Sequence, residues 1–257
     1  MEFANGAIRL EIGPAARLLI NAPQKRNAMS QAMWQGLSEA CAVIAADYKI
    51  RVVTVTGAEG HFCAGADLAE FEEIYANEAA IERSNAVIRA AQFHLRNLPQ
   101  PVLAQIEGAC VGGGCGIALA CDLRFAARGA KFAITPSKLG LAYPPEDSAQ
   151  LVEKIGIARA KDLLLSARLI GAEEALSYGL VEFLTETPQQ VADYAAKLLE
   201  LSPASLRATK AILNGLGAPD AARCDSLHPI FAATFSGPDA REGRAAFLQK
   251  RKPHFTG

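Results

Sequence analysis

Two stretches of small residues in this chain are suited to binding charge through the main chain alone. The first is His61-Phe62-Cys63-Ala64-Gly65-Ala66-Asp67-Leu68, and the second is Gly108-Ala109-Cys110-Val111-Gly112-Gly113-Gly114-Cys115-Gly116. Residues without bulky side chains let a ligand approach the backbone. Where such a stretch opens a helix, its first N–H groups lack an intrahelical acceptor and lie at the positive end of the helix dipole. Two such sites facing each other make an anion pocket. If the anion is the oxygen of a transient enolate, the pocket is an oxyanion hole, with each donor worth about 3–4 kcal/mol. Glycine clusters also serve tight packing, and either segment alone fits that reading.

Other chemistries are poorly supplied. Gly108 and Gly113 have the spacing of a nucleotide-binding P-loop, but Gly114-Cys115 stands where Lys-Ser/Thr is required. The strand–elbow signature of serine hydrolases, G-x-S-x-G, does not occur. His61 has no second histidine nearby, so no metal centre is expected. Proton-transferring side chains gather in Gly140-Leu141-Ala142-Tyr143-Pro144-Pro145-Glu146-Asp147, where two prolines fix the backbone. Each has a structural alternative. Glu146 and Asp147 precede a helical run expected over 148–155 and can cap it or complement its dipole. Tyr143 can pack its ring with the hydroxyl at a rim. Asp67 can cap the helix after the first loop.

The elements that must position these groups follow from pattern. The apolar runs 7–12 and 16–20, split by Gly13-Pro14, read as a hairpin. Ser30 is a good N-cap for a helix to about Asp47, with Met33, Trp34, Leu37, Ala40, Cys41 and Ile44 at helical spacing. Residues 51–56 read as a buried strand, 78–97 as a helix ended by Pro99 and Pro101, and 102–106 as the next strand. Residues 108–116 read as a glycine-rich turn, followed by a short helix over 117–121 and short strands over 123–127 and 131–134. From Asp147 the pattern is helical, broken only by residues 181–184. Strands alternating with helices predict an α/β core containing parallel strands.

The 257 residues are 51% hydrophobic and 21% charged, enough for a large core. With 26 Lys+Arg against 27 Asp+Glu, the net charge of -1 leaves no basic footprint for nucleic acid. No apolar run approaches a membrane span. The N-terminal Met1-Glu2-Phe3-Ala4-Asn5 lacks the features of a signal peptide. Six cysteines without a C-x-x-C pair are expected as buried free thiols, and the protein is expected in the cytoplasm.

Taken together, the motifs resemble the crotonase (enoyl-CoA hydratase/isomerase) superfamily. Pro23-Gln24-Lys25-Arg26-Asn27-Ala28 resembles its P-x-x-x-N-A motif, and residues 62–68 its F-x-A-G-A-D-[IL] loop. Residues 108–122 resemble its G-x-x-x-G-G-G-x-x-L-A-x-x-C-D run. Gly179-Leu180-Val181 resembles its G-L-V, and residues 239–255 its closing D-x-x-E-G-x-x-A-F-x-x-K-R-x-P-x-F. The resemblance implies a spiral of ββα units over residues 1–200 and a helical, trimer-forming region over 201–257, assembled as a homotrimer or as a hexamer (a dimer of trimers). It implies an acyl-CoA thioester substrate, with coenzyme A part of the substrate and no separate cofactor. The oxyanion donors fall on the N–H groups of Ala66 and Gly113. The CoA side is lined by Lys25, Arg26, Ala64, Asp67, Leu68 and Gly112, with Phe247 and Lys250 from the C-terminal helix, often of a neighbouring subunit.

The chain departs from the hydratase branch at both water-handling glutamates. Gly116 stands at one position and Pro136 at the other. Neither can move a proton, so Tyr143 or Glu146 is expected to assist, giving double-bond isomerisation of an enoyl-CoA as the expected reaction. Isomerases of the family place a carboxylate at the position aligned with Pro144. Thr135-Pro136-Ser137-Lys138-Leu139-Gly140-Leu141-Ala142-Tyr143 matches the T-P-x-x-L-G-x-x-Y of a decarboxylating branch, so loss of CO2 from a malonyl-type CoA is the alternative. Hydration through another base and non-catalytic acyl-CoA binding are the further alternatives. RNA binding by a lysine-studded first helix is not expected, because residues 30–48 hold no Lys or Arg.

Overall fold

A computed structural model describes residues 1–74, 76–216, 238–239, 242, 245–246 and 249–256. The chain runs β1 (Glu2–Phe3), β2 (Ile8–Glu11), β3 (Ala15–Ile20), α1 (Gln31–Ala46), β4 (Val52–Gly57), α2 (Phe71–Ile74) and α3 (Glu78–Arg96). It continues with β5 (Val102–Ile106), β6 (Ala109–Val111), α4 (Gly113–Ala120), β7 (Leu123–Ala127), β8 (Lys131–Ala133) and α5 (Pro145–Ser166). The remaining elements are β9 (Leu169–Gly171), α6 (Ala172–Tyr178), β10 (Phe183–Thr185), α7 (Gln189–Leu199) and α8 (Pro203–Gly215).

The larger sheet has the order β1-β2-β3-β4-β5-β7-β10, antiparallel as far as β3 and parallel beyond it. The β2–β3 hairpin alternates buried and exposed residues, as one covered face requires. β4 and β5 are buried almost throughout because helices cover both of their faces. Alternation along these strands splits the core. Val52, Leu103 and Phe125 face Val191 and Ala195 of α7. Val53, Val55, Val102 and Ala104 join the main core with Trp34, Leu37 and Leu95. The expected Ser30 cap forms, its hydroxyl accepting from Met33 N at 3.2 Å.

A second sheet, β6-β8-β9, carries the glycine-rich segment. The expected turn over 108–116 is a strand followed by a helix: Ala109–Val111 pair in parallel with β8, and α4 begins at Gly113. A three-residue strand inside a glycine run leaves too little pattern to be read in advance. β9 likewise interrupts the expected helical third. The helix expected to start at residue 148 starts at Pro145, where proline's fixed φ and missing N–H suit the first helical position. It reaches Ser166 across a kink at Gly156 (φ 76°).

Buried Arg124 anchors the far end of α4. Its guanidinium donates to Ala118 O at 3.4 Å, Cys121 O at 2.9 Å and Leu180 O at 2.9 Å, and pairs with Glu182. A cation against the last carbonyls of a helix complements the dipole, so α4 is fixed at the end opposite its glycines. Cys41, Cys63, Cys110, Cys115 and Cys121 are buried free thiols. Among the described residues no helix is long and apolar enough to cross a membrane, and no cluster of His, Cys, Asp or Glu is placed to hold a metal. About half of 201–257, including Phe247, lies outside the described residues.

Candidate active site

The first loop is held by Asn27, buried and in the left-handed region at φ 59°. Its Oδ1 accepts from Ala22 N at 2.9 Å, and its Nδ2 donates to Ala58 O at 2.9 Å and His61 O at 2.6 Å. Two polar groups of one side chain thus tie the segment before α1 to the turn after β4. The Arg26 carbonyl accepts from Ala64 N at 3.0 Å. Met29 then bridges the loop, its N–H donating to Gly65 O at 2.7 Å and its carbonyl accepting from Asp67 N at 2.9 Å. That pairing skips Ala66. Its N–H has no acceptor among the described residues, and the residue is exposed.

The second donor comes from the β6–α4 junction. Gly112 donates to Ala133 O at 2.9 Å and turns the chain with φ 53° and ψ -112°, a conformation open to glycine. Gly113 is the first residue of α4, so its N–H is one of the helix's unpaired donors and lies at the positive end of the dipole. A methyl group on Gly65 would lie 3.1 Å from Val111 O and 3.9 Å from Gly113 N. One on Gly114 would lie 2.3 Å from Cys63 O. The two segments therefore touch backbone to backbone, and the Gly65–Ala66 peptide backs onto the start of α4. The buried Trp34 ring closes the site from beneath, with Cζ2 3.1 Å from where a Gly113 Cβ would stand. Packing and anion binding, alternatives at the level of sequence, are compatible here: the segments pack closely, and Ala66 and Gly113 each keep an N–H unpaired among the described residues.

Gly116 lies one turn along α4 from Gly113. A Cβ there would lie 2.1 Å from Gln92 Nε2 and 2.9 Å from Asp147 Oδ2. The space above Gly116 is thus filled by two polar side chains from α3 and α5, and Gln92 donates to Asp147 Oδ2 at 3.2 Å. Asp147 is 2% exposed, and its Oδ1 has no hydrogen-bond partner among the described residues. Burial pushes its pKa up from 3.8 to about 6, against the Gln92 hydrogen bond and with the Glu146 charge. Asp147 does not cap: Pro144 holds the N-cap position, and no side chain caps α5.

Of the acid–base candidates, Glu146 sits on the exposed side of the same turn, opposite Arg89 at 3.7 Å, and does not share the buried space over Gly116. Half-buried Tyr143 does reach the site, its hydroxyl donating to Gly112 O at 3.2 Å. Burial and the neighbouring Asp147 carboxylate hold its pKa well above the usual value. Pro136 opens a short turn, Pro136–Leu139, after β8.

On the proposed CoA side, Lys25 Nζ donates to Asp67 Oδ2 at 2.5 Å, which keeps the Asp67 pKa low. Asp67 also accepts from Ala69 N at 3.1 Å, the expected capping role. Arg26 and Leu68 are exposed, and Ala64 is half-buried. Lys250 is exposed.

The sequence profile of the enoyl-CoA hydratase/isomerase family matches residues 15–257. The chain belongs to the enoyl-CoA hydratase/isomerase family. Within that family it is 33% identical to the mitochondrial methylglutaconyl-CoA hydratase of Rattus norvegicus, covering 93% of this chain and 78% of the relative. It is 32% identical to the crotonyl-CoA hydratase of Syntrophomonas wolfei, over 93% of this chain and 94% of the relative. The crystal structure of an enoyl-CoA hydratase from Bacillus anthracis superposes with a TM-score of 0.92 at 31% identity, covering 97% of this chain and 99% of that one. The mixed α/β architecture is therefore the crotonase fold, and the protein is an acyl-CoA enzyme of this family.

Proposed function

We propose that this enzyme moves a double bond in an enoyl-CoA through an enolate held by the N–H groups of Ala66 and Gly113. The observation that supports the proposal is the backbone-to-backbone packing of the two segments, with neither the Ala66 nor the Gly113 N–H paired among the described residues. A thioester oxygen gains negative charge as an α-proton leaves. Donors fixed in advance stabilise that charge more than they stabilise the ground-state carbonyl. For a 3-enoyl-CoA, removal of the α-proton gives a dienolate, and return of a proton at the γ-carbon gives the 2-enoyl product. That exchange needs one proton-carrying group, whereas hydration by a glutamate pair needs carboxylates where Gly116 and Pro136 stand. Hydration is the second reading, favoured by relatives that are named hydratases. We further propose that a homotrimer or hexamer completes the CoA side through Phe247 and Lys250.

Mass spectrometry of an acyl-CoA panel incubated with the enzyme in D2O tests the proposal. Deuterium uptake with a moved double bond is the expected result. Addition of water, or loss of CO2 from a malonyl-type thioester, would replace isomerisation by that reaction. CoA binding with no change in any thioester would refute catalysis on this class.

A further inference from the structure

We propose that Asp147 is the proton carrier of this site, delivered from the first turn of α5 into the space that a side chain at position 116 would fill. The inference rests on the enolate-forming reading above. Four observations lead to it.

Asp147 Oδ2 lies 2.9 Å from the point a Gly116 Cβ would occupy. Residues three apart on a helix share a face, so the carboxylate stands over the same side of α4 as the Gly113 donor, one turn away. Its Oδ1 is buried and unpartnered among the described residues. An unsatisfied buried acceptor is costly and rare in a folded protein, and here it belongs to the carboxylate that stands over Gly116. The helix does not need it, since α5 starts with proline and is uncapped by any side chain. Its surroundings also hold it near the point of exchange. The groups facing it are Gln92 from α3, Tyr143 from the preceding loop and Glu146 beside it, with Arg89 beyond Glu146. Among the described residues no cation contacts it directly to fix it as a permanent anion, and burial brings its titration close to neutral pH.

The proton balance is closed. Ionised Asp147 removes the α-proton of a 3-enoyl-CoA, leaving negative charge on the thioester oxygen between Ala66 and Gly113. The same carboxylic acid returns the proton to the γ-carbon, and Asp147 ends ionised as it began. Gln92 is a positioning residue, since its amide holds Oδ2 and leaves Oδ1 free.

The test uses the full-length enzyme, with 3-hexenoyl-CoA to read isomerisation and butyryl-CoA in D2O to read α-proton exchange. Asp147→Asn, with folding checked by circular dichroism, should lose at least about 100-fold in both, with the Kd for butyryl-CoA within about threefold of wild type. In wild type, kcat/KM should rise with pH through an acidic limb that the variant lacks. Gln92→Met removes the bond that positions Asp147 and opposes its proton uptake, so the limb should move to higher pH and the plateau should fall. This second variant carries the test if Asp147→Asn does not fold. Isomerisation and exchange within about threefold of wild type in a folded Asp147→Asn variant would overturn the assignment and leave the isomerase reading standing. Exchange by wild type that is lost in Asp147→Asn, without isomerisation, would uphold Asp147 and overturn the isomerase reading. Neither activity in wild type would overturn both.

Discussion

Replacing Asp147 by asparagine isolates what an ionised carboxylate costs at this position. Burial, opposed by the Gln92 hydrogen bond and reinforced by Glu146, raises its pKa from 3.8 to about 6. Below 3.8 the group is neutral in both folded and unfolded chains and contributes nothing. Between 3.8 and 6 the folded chain holds a proton that the unfolded chain has released, so stability falls as pH rises. Above 6 the loss is constant. At about 1.4 kcal/mol per pKa unit the whole loss is about 3 kcal/mol, of which about 2.5 kcal/mol develops between pH 4 and pH 8. Asparagine keeps an oxygen for Gln92 and places an NH2 where Oδ1 has no partner, an offset of about 1–2 kcal/mol that does not vary with pH. The difference in unfolding free energy between variant and wild type should therefore shift in the variant's favour by about 2.5 kcal/mol from pH 4 to pH 8. For a chain of this length that corresponds to about 5–10 °C in relative Tm. Urea titrations of both proteins at fixed concentration across this range measure it directly, and titrating groups that do not interact with Asp147 cancel in the difference. A flat difference would mean that Asp147 does not ionise in a buried site. The opposite slope would mean that the fold favours its anion. A carboxylate that weakens the fold at neutral pH, where an amide of the same shape would not, is the mark of a residue kept for chemistry.

The remaining predictions concern the donors and their frame. Gly113→Pro removes an N–H at a helix position that accepts proline, and turnover should fall about 10²–10³-fold; Gly113→Ala adds a Cβ 3.1 Å from Trp34 Cζ2 but keeps the N–H, and should stay within about tenfold by steady-state kinetics. Gly116→Ala would put a methyl 2.1 Å from Gln92 Nε2, forcing Gln92 and Asp147 aside, so stability should drop by about 1–3 kcal/mol in denaturant titration and kcat with it. Asp67→Asn frees half-exposed Lys25 from its 2.5 Å ion pair; solvent screening limits the stability change to under about 1 kcal/mol, and the kinetic effect should fall on KM for the CoA ester rather than on kcat. Tyr143→Phe removes the hydroxyl that donates to Gly112 O at 3.2 Å and should slow turnover only a few-fold; a loss comparable with that of Asp147→Asn would make Tyr143 the proton carrier instead.

The sequence was most informative where chemistry and backbone conformation coincide. The two small-residue segments stood out because main-chain anion binding needs residues without bulky side chains, while the resemblance to the family placed the donors on Ala66 and Gly113. The buried β4 and β5 runs and the Ser30 cap were legible because burial on both faces and capping each select residue types locally. β6 and β9 were not, since three residues hold too little periodicity to stand out against glycines or helices, and only pairing with β8 makes them strands.

The acid–base group was illegible for a different reason. At positions 116 and 136 the sequence shows a glycine and a proline, and a reading by position concludes that the carboxylates are gone. The space tells another story: no side chain can be added at Gly116, because Asp147 and Gln92 already occupy the place where it would go. Starting α5 at Pro145 rather than at residue 148 turns Asp147 inward and Glu146 toward Arg89. A shift of the helix start by three residues thus decides which of two adjacent acids is buried. Pattern pointed to Glu146 for chemistry, because aspartate is the stronger N-cap and Asp147 was the better cap candidate. The glycine at 116 and the aspartate at 147 are therefore read best as one feature, in which the first makes room for the second.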